Sequence, residues 1–270
     1  MTQNSYLYNE IFLRFGTVQR ARGCFLYTKK GVRLTDLYQE GGRAVLGWGG
    51  SVFTRFKNVL SRGITGSFIT EYENQTKKAA ETLLRSPRTV MFFSSYDSAL
   101  RAALSISPQG TCVYKPWSAA QSDISSQDCV VIAPPLPWTQ NLYLVASLPE
   151  AAEIACVAGR AVPSSERIPA PLNAAVARSL FDLAAAVSVR SEKDWFLYDN
   201  CISSYWTRTG PYLFPKVPEA DYKAFVLHCL DCALVISPDY NTPSIVPFGA
   251  DRGVFTKLKN APFPVRNEVE

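Results

Sequence analysis

The stretch that most constrains this chain is residues 89–106. Thr89-Val-Met-Phe-Phe93 has the composition of a buried strand, Ser94-Ser95 interrupts it, and from Asp97 to Ile106 the apolar residues recur at helical spacing. A switch from the two-residue period of a strand to the 3.6-residue period of a helix, across a two-serine turn, predicts one strand–turn–helix unit of an α/β layer. The preceding residues extend the reading. Residues 23–38 predict a β-hairpin, with apolar and aromatic runs flanking the turn-forming pair Lys30-Gly31. Val52, Phe53, Phe56, Val59 and Leu60 fall at helical spacing, and residues 71–84 repeat the pattern with Glu71 and Glu73 where the helix dipole favours negative charge. Short strands are expected at 113–114, 129–133 and 142–145, separated by a serine-rich stretch and by Pro134-Pro135-Leu136-Pro137, with a hinge or compressed connection over 115–128. Further on, helices are expected at 172–187 and 222–230 and a strand at 234–236.

Composition sets the outer bounds. With 47% apolar and 19% charged residues, the 270-residue chain is far from the signature of disorder and has the length for a large core. The N-terminal residues lack the basic start and apolar stretch of a signal peptide, and no run approaches about 18 uncharged apolar residues. A cytoplasmic protein with no membrane association is the expectation. Seven scattered cysteines, an odd number, predict reduced and mostly buried thiols. Residues 1–120 hold 16 Lys/Arg against 7 Asp/Glu and the remainder 12 against 16, but the basic residues stand singly, so no nucleic-acid partner is expected.

The order of pieces over residues 22–107 resembles the class III pyridoxal-phosphate-dependent aminotransferases. Arg22-Gly23-Cys-Phe-Leu-Tyr27 with Gly31-Val-Arg-Leu-Thr-Asp36-Leu looks like the family's N-terminal hairpin. Val45-Leu46-Gly47-Trp48 stands at its "lGh" turn, and Phe92-Phe-Ser94-Ser95-Tyr96-Asp97-Ser98-Ala99 is similar to its "F.NSGTEA" segment. Cys232 to Pro238 and Ser244 to Pro247 look like its small-domain strands. The resemblance implies an α/β fold of pyridoxal-phosphate transferase fold type I, shortened, with a small α+β domain and a reduced large-domain sheet. It implies an N-terminal part of the small domain over 1–64, a remnant of the large domain over 65–160, and a C-terminal small domain over 161–270. It also implies a homodimer.

The chemistry of that family does not follow. A transaminase needs a lysine to hold the cofactor as a Schiff base and a carboxylate at the pyridine nitrogen. Neither family pattern is found here. Asp199-Asn200-Cys201 with Arg208-Thr209-Gly210 is only superficially similar to its "DEV…RTG" stretch, and Lys115 and Lys216, beside prolines, read as surface lysines. In the turn that would cradle the phosphate, Tyr96 and Asp97 replace Gly and Thr, so Ser94, Ser95, Tyr96 and Asp97 form a degenerate cofactor-binding turn. The other reading of the same residues is a capped helix, with Asp97 or Ser95 as N-cap. No catalytic residue is assigned. A non-catalytic protein acting through assembly or small-ligand binding is expected, without cofactor; the alternative is a pyridoxal-phosphate enzyme using an unrecognised lysine.

Two further constellations admit two readings. Trp206, Arg208 and Tyr212, with Trp48, offer aromatic walls and a guanidinium for an amino-acid-like or carboxylate ligand. Equally they describe a buried strand pair with a structural arginine, the preferred reading. His228 beside Cys229-Leu-Asp-Cys232 reads as helix packing and not as a metal site, and Pro134–Trp138 as a partner site or a stiff connection.

Overall fold

The structure is a computed structural model that describes residues 5–66, 68–118, 123–139 and 141–264. In chain order its elements are α1 (Ser5–Phe15), β1 (Val18–Arg22), β2 (Phe25–Thr28), β3 (Arg33–Asp36), α2 (Ser51–Leu60), α3 (Tyr72–Leu84), β4 (Thr89–Phe93), α4 (Tyr96–Ile106), β5 (Cys112–Val113), β6 (Cys129–Ile132), β7 (Tyr143–Ser147), α5 (Pro149–Val157), α6 (Ala170–Val189), α7 (Glu192–Phe196), α8 (Asp199–Ile202), β8 (Trp206–Thr209), β9 (Tyr212–Pro215), α9 (Glu219–Asp231), β10 (Leu234–Val235), β11 (Ser244–Ile245) and α10 (Thr256–Asn260). They form two compact units. The first comprises residues 1–49 and 190–270, the second residues 50–189.

The second unit holds a four-stranded sheet in the order β4-β7-β6-β5. β7 is antiparallel to both β4 and β6, and β5 is parallel to β6, so β4, β5 and β6 all point the same way. Helix α4 lies on this sheet through Ala99, Ala102, Ala103 and Ile106, against Phe93, Val131 and Val145, and Ala151 and Ala155 of α5 complete the cluster. Alanines at these positions let the helix axis come close to the pleated surface without voids. A second helical layer joins α2, α3 and α6 through Val59, Tyr72, Ala170 and Ala174. By length and composition α6 is apolar enough to cross a membrane, but half of it is buried against neighbouring helices.

This packing moves the expected boundaries. Sequence placed them after residues 64 and 160, whereas the compact units divide at Gly49/Gly50 and Val189/Arg190. The cause is that α2 and α6 each bury an apolar face on one another and α6 also on α3, so both go with the sheet-bearing unit. The serine-rich connection expected as a hinge falls partly at residues 119–122, outside the described residues. Pro134, Pro135 and Leu136 are buried, which makes that segment a stiff internal connection, with Trp138 resting 5.5 Å from Phe56.

The first unit has two sheets, β1-β2-β3-β10 and β11-β9-β8. The expected hairpin is β2–β3, with Gly31 at φ 77° donating to the Thr28 carbonyl. Gly47 explains why the following turn is glycine-rich: its φ is +95°, and a Cβ there would lie 3.1 Å from the Gly23 Cα. That close approach is what allows Gly23 and Trp48 to exchange backbone hydrogen bonds.

Arg88, immediately before β4, is fully buried. Its guanidinium donates to Ser86 Oγ at 2.9 and 3.1 Å, to the carbonyls of Ile124 at 3.1 Å and Ser125 at 2.9 Å, and to that of Gln127. Burial lowers its pKa. Arg88→Met would strand those carbonyls without a donor, which costs about 1–3 kcal/mol for each left dry. Chemical denaturation is expected to show a loss of about 3 kcal/mol or more, with little recovery in Arg88→Lys, whose ammonium cannot span the same acceptors. A loss under about 1 kcal/mol would remove Arg88 from this role.

Candidate functional site

The strand directions single out one edge of the second unit's sheet. Ligands of open α/β sheets bind beyond the carboxyl ends of parallel strands, and here those ends are Phe93, Val113 and Ile132. The segments that follow are Ser94-Ser95, Tyr114-Lys115 and Ala133-Pro134. Of these only Lys115 carries an amine; it is partly buried, and burial lowers its pKa. Lys57, Lys77 and Lys78, the other lysines of this unit, are exposed on helices. Among its described residues no carboxylate is buried.

At the β4–α4 turn, Ser95 has extended backbone and its hydroxyl accepts from Ser98 N–H at 3.1 Å, so Ser95 is the N-cap of α4. Asp97 lies exposed in the first turn, where the dipole favours it, and is not the cap. Tyr96 stands edge-on to Tyr143 at 5.7 Å. Ser94 is engaged by a residue that sequence reading did not single out. Glu166 accepts from Ser94 N–H at 3.1 Å and from its hydroxyl at 3.0 Å. Its own N–H donates to the Phe92 carbonyl at 2.8 Å, and Ser165 Oγ accepts from Phe92 N–H at 3.0 Å. Residues 165–166 thus run along the outer edge of β4 and deliver a carboxylate to the turn. Nothing local in the sequence marks Glu166, which lies 72 residues from Ser94.

The first unit disperses the other candidate residues. Arg208 pairs through two nitrogens with both oxygens of Asp199, contacts Glu192, and donates to the Gly210 carbonyl at 2.8 Å. Hydrogen bonds to the two acids raise its pKa. The hairpin register pairs Arg208 with Leu213 and Thr209 with Tyr212, which puts Trp206 and Arg208 on one face and Tyr212 on the other. Trp206 is buried 5.1 Å from the ring of Phe225, and its Nε1–H finds no acceptor among the described residues. The aromatic cage around a free arginine is therefore replaced by the strand pair with a structural arginine. His228 lies 2.8 Å from the Ala261 carbonyl and stacks near Phe263.

Trp48 is held elsewhere in the same unit. Its Nε1–H donates to Asp36 Oδ2 at 2.8 Å, while Asp36 Oδ1 accepts from the N–H groups of Tyr38 at 3.0 Å and Gln39 at 2.8 Å. Burial pushes the Asp36 carboxyl up to about 6 despite these three donors.

Comparison of the whole chain with solved structures gives extended matches. An acetylornithine aminotransferase from Elizabethkingia anophelis superposes with a TM-score of 0.65 at 12% identity, over 96% of this chain and 98% of the other. The ornithine δ-aminotransferase of Plasmodium falciparum gives 0.62 at 8% identity, over 96% and 97%. The chain has the fold of the pyridoxal-phosphate-dependent aminotransferases. No protein-family model matches it. Two curated relatives do: one from Treponema pallidum (strain Nichols), 29% identical over 88% of this chain and 91% of its own length, and one from Borreliella burgdorferi, 23% identical over 93% and 91%. Both carry the description "uncharacterized protein".

The Asp36 carboxyl yields a pH prediction with a defined sign. Its folded pKa of about 6 lies above the ordinary 3.8, so the folded state holds the extra proton between the two values. Its contribution to stability is full below about 4 and declines as pH rises through about 6, by roughly 3 kcal/mol in all. The indole N–H resonance of Trp48 is expected to titrate with a midpoint near 6. Asp36→Asn should abolish both the titration and the decline; an unshifted midpoint near 4 would contradict the burial argument.

Proposed function

We propose that this protein keeps the aminotransferase fold without transaminase chemistry, and acts through assembly or through binding of a small ligand that it does not convert. The observation that carries the reading is the Glu166 carboxylate on Ser94 N–H and Oγ. A phosphate at this turn needs those donors, and a carboxylate already there repels the dianion while Asp97 adds a second negative charge. The turn does not fit pyridoxal phosphate. One further feature supports the reading: the described residues of this unit offer no buried carboxylate for a pyridine nitrogen. Lys115 is the residue on which the alternative, a working pyridoxal-phosphate enzyme, would have to rest. Cytoplasmic residence and a homodimer belong to the same proposal, by likeness to the fold.

Titration with pyridoxal phosphate, followed by borohydride reduction and peptide mass analysis, tests it. The wild-type chain is expected to take up no cofactor and to carry no reduced lysine adduct. The triple change Tyr96→Gly, Asp97→Thr and Glu166→Gln restores the turn's freedom and removes both charges. It should bind inorganic phosphate or pyridoxal phosphate at least tenfold more tightly than the wild type, with the fold retained because all three positions are exposed. A reduced adduct on Lys115 in the wild type would establish the enzymatic alternative instead.

A further inference from the structure

We infer that the groove between the start of α3 and the start of α6 is a binding site for a small zwitterion with an apolar body, of the size of an amino acid. This rests on the small-ligand branch of the proposed function and gives it a place. The groove has a volume of about 460 Å³, within the range that accommodates small ligands. Its wall includes Phe68, Ile69 and Pro169, and two adjacent bulky side chains there stand open to solvent, Phe68 at 63% and Ile69 at 98% exposure. An apolar surface of that kind, beside a concavity, is what an apolar ligand body would cover.

The polar groups of the groove are complementary to a molecule with both signs of charge. Arg167 and Glu73 both line it. Neither forms an ion pair or hydrogen bond through its side chain among the described residues, with each other or with a third group. Asn173 adds the third group. It is 3% exposed, yet it lines the groove. The Thr76 hydroxyl is bonded to its Oδ1 and to its backbone carbonyl, while its Nδ2 amide donates to no described residue. That nitrogen is not among the fully enclosed unpaired atoms, so it keeps access to solvent on the residue's groove side, where a ligand acceptor could meet it.

A simple anion in the groove would meet Arg167 and Asn173 but be repelled by Glu73; a simple cation would meet the reverse. A zwitterion satisfies all three. Its carboxylate takes the planar fork of Arg167 and the Asn173 amide, its ammonium lies by Glu73, and its body covers Phe68 and Ile69.

The test uses the full chain and the twenty standard L-amino acids as probes, one at a time, by ligand-observed NMR and calorimetry. Apolar amino acids are expected to bind with Kd below about 1 mM. The analogues of the tightest binder that lack the amino group or the carboxylate should each bind at least tenfold more weakly. Arg167→Met and Glu73→Gln should each weaken the zwitterion by tenfold or more without changing the melting temperature, since both positions are exposed. Glu73→Gln should in addition strengthen the amine-free analogue, which a merely structural role for Glu73 would not do. Absence of binding for all twenty in the wild type, or equal binding of the singly charged analogues, overturns the site. Either result leaves the reading of the Ser94 turn to stand or fall on cofactor uptake alone.

Discussion

The buried guanidinium of Arg88 is the constraint on which the sheet-bearing unit is organised. It sits where β4 begins and reaches the carbonyls of residues 124–127, just before β6. Those two strands are not neighbours, because β7 runs between them in the opposite sense. One side chain with five donors therefore ties together the starts of two parallel strands across an antiparallel one. A lysine would satisfy fewer of the carbonyls, and an apolar residue would leave them dry in the interior. With the starts fixed, the carboxyl ends of β4, β5 and β6 share the opposite edge, and the serine turn is placed where α/β sheets present ligands.

What occupies that edge is the chain itself. Residues 165–166 pair with Phe92 on the exposed side of β4, which covers an edge strand whose N–H and C=O groups would otherwise stay open. The same contact aims Glu166 at Ser94. The segment that protects the edge is thus also the one that brings a carboxylate to the turn. The Ser95 hydroxyl caps α4, and the alanine face of α4 packs on the sheet.

How much of this was legible in the sequence depended on range. The hairpin at Gly31, the strand–turn–helix unit, and helices α3, α6 and α9 follow from local periodicity, and the structure has them within a few residues of the expected places. The first helix was equally legible, since Leu7 and Ile11 are the buried i, i+4 pair of α1. Helix α5, short and alanine-rich, gives little periodic signal. The sidedness of β8 and β9 needed the register set by the two-residue turn Gly210-Pro211, which puts Tyr212 opposite Thr209 and away from Arg208. Glu166 was not legible at all, because its role is decided by a contact between residues many tens of positions apart. Asn173 carried a trace, a lone amide in an apolar helix, and such a residue is buried only for a reason.

The two arginines that stand beside aromatic or apolar residues show why composition alone misplaces a site. Arg208 lies among Trp206, Tyr212 and Phe214 in sequence, and Arg167 lies beside Ile168 and Pro169. In the structure every nitrogen of the first is engaged: Asp199 takes Nε and Nη2, Glu192 also takes Nη2 and the Gly210 carbonyl takes Nη1, so its charge is already paired with two acids. Among the described residues the side chain of the second has no acceptor, stands in the same groove as a glutamate that has no cation, and shares it with an amide nitrogen that donates to none of them. Electrostatic potential available to a ligand is what remains after the protein's own charges have paired. By that criterion Arg208 is the structural arginine that the sequence reading preferred, and Arg167 is the one left with charge to offer.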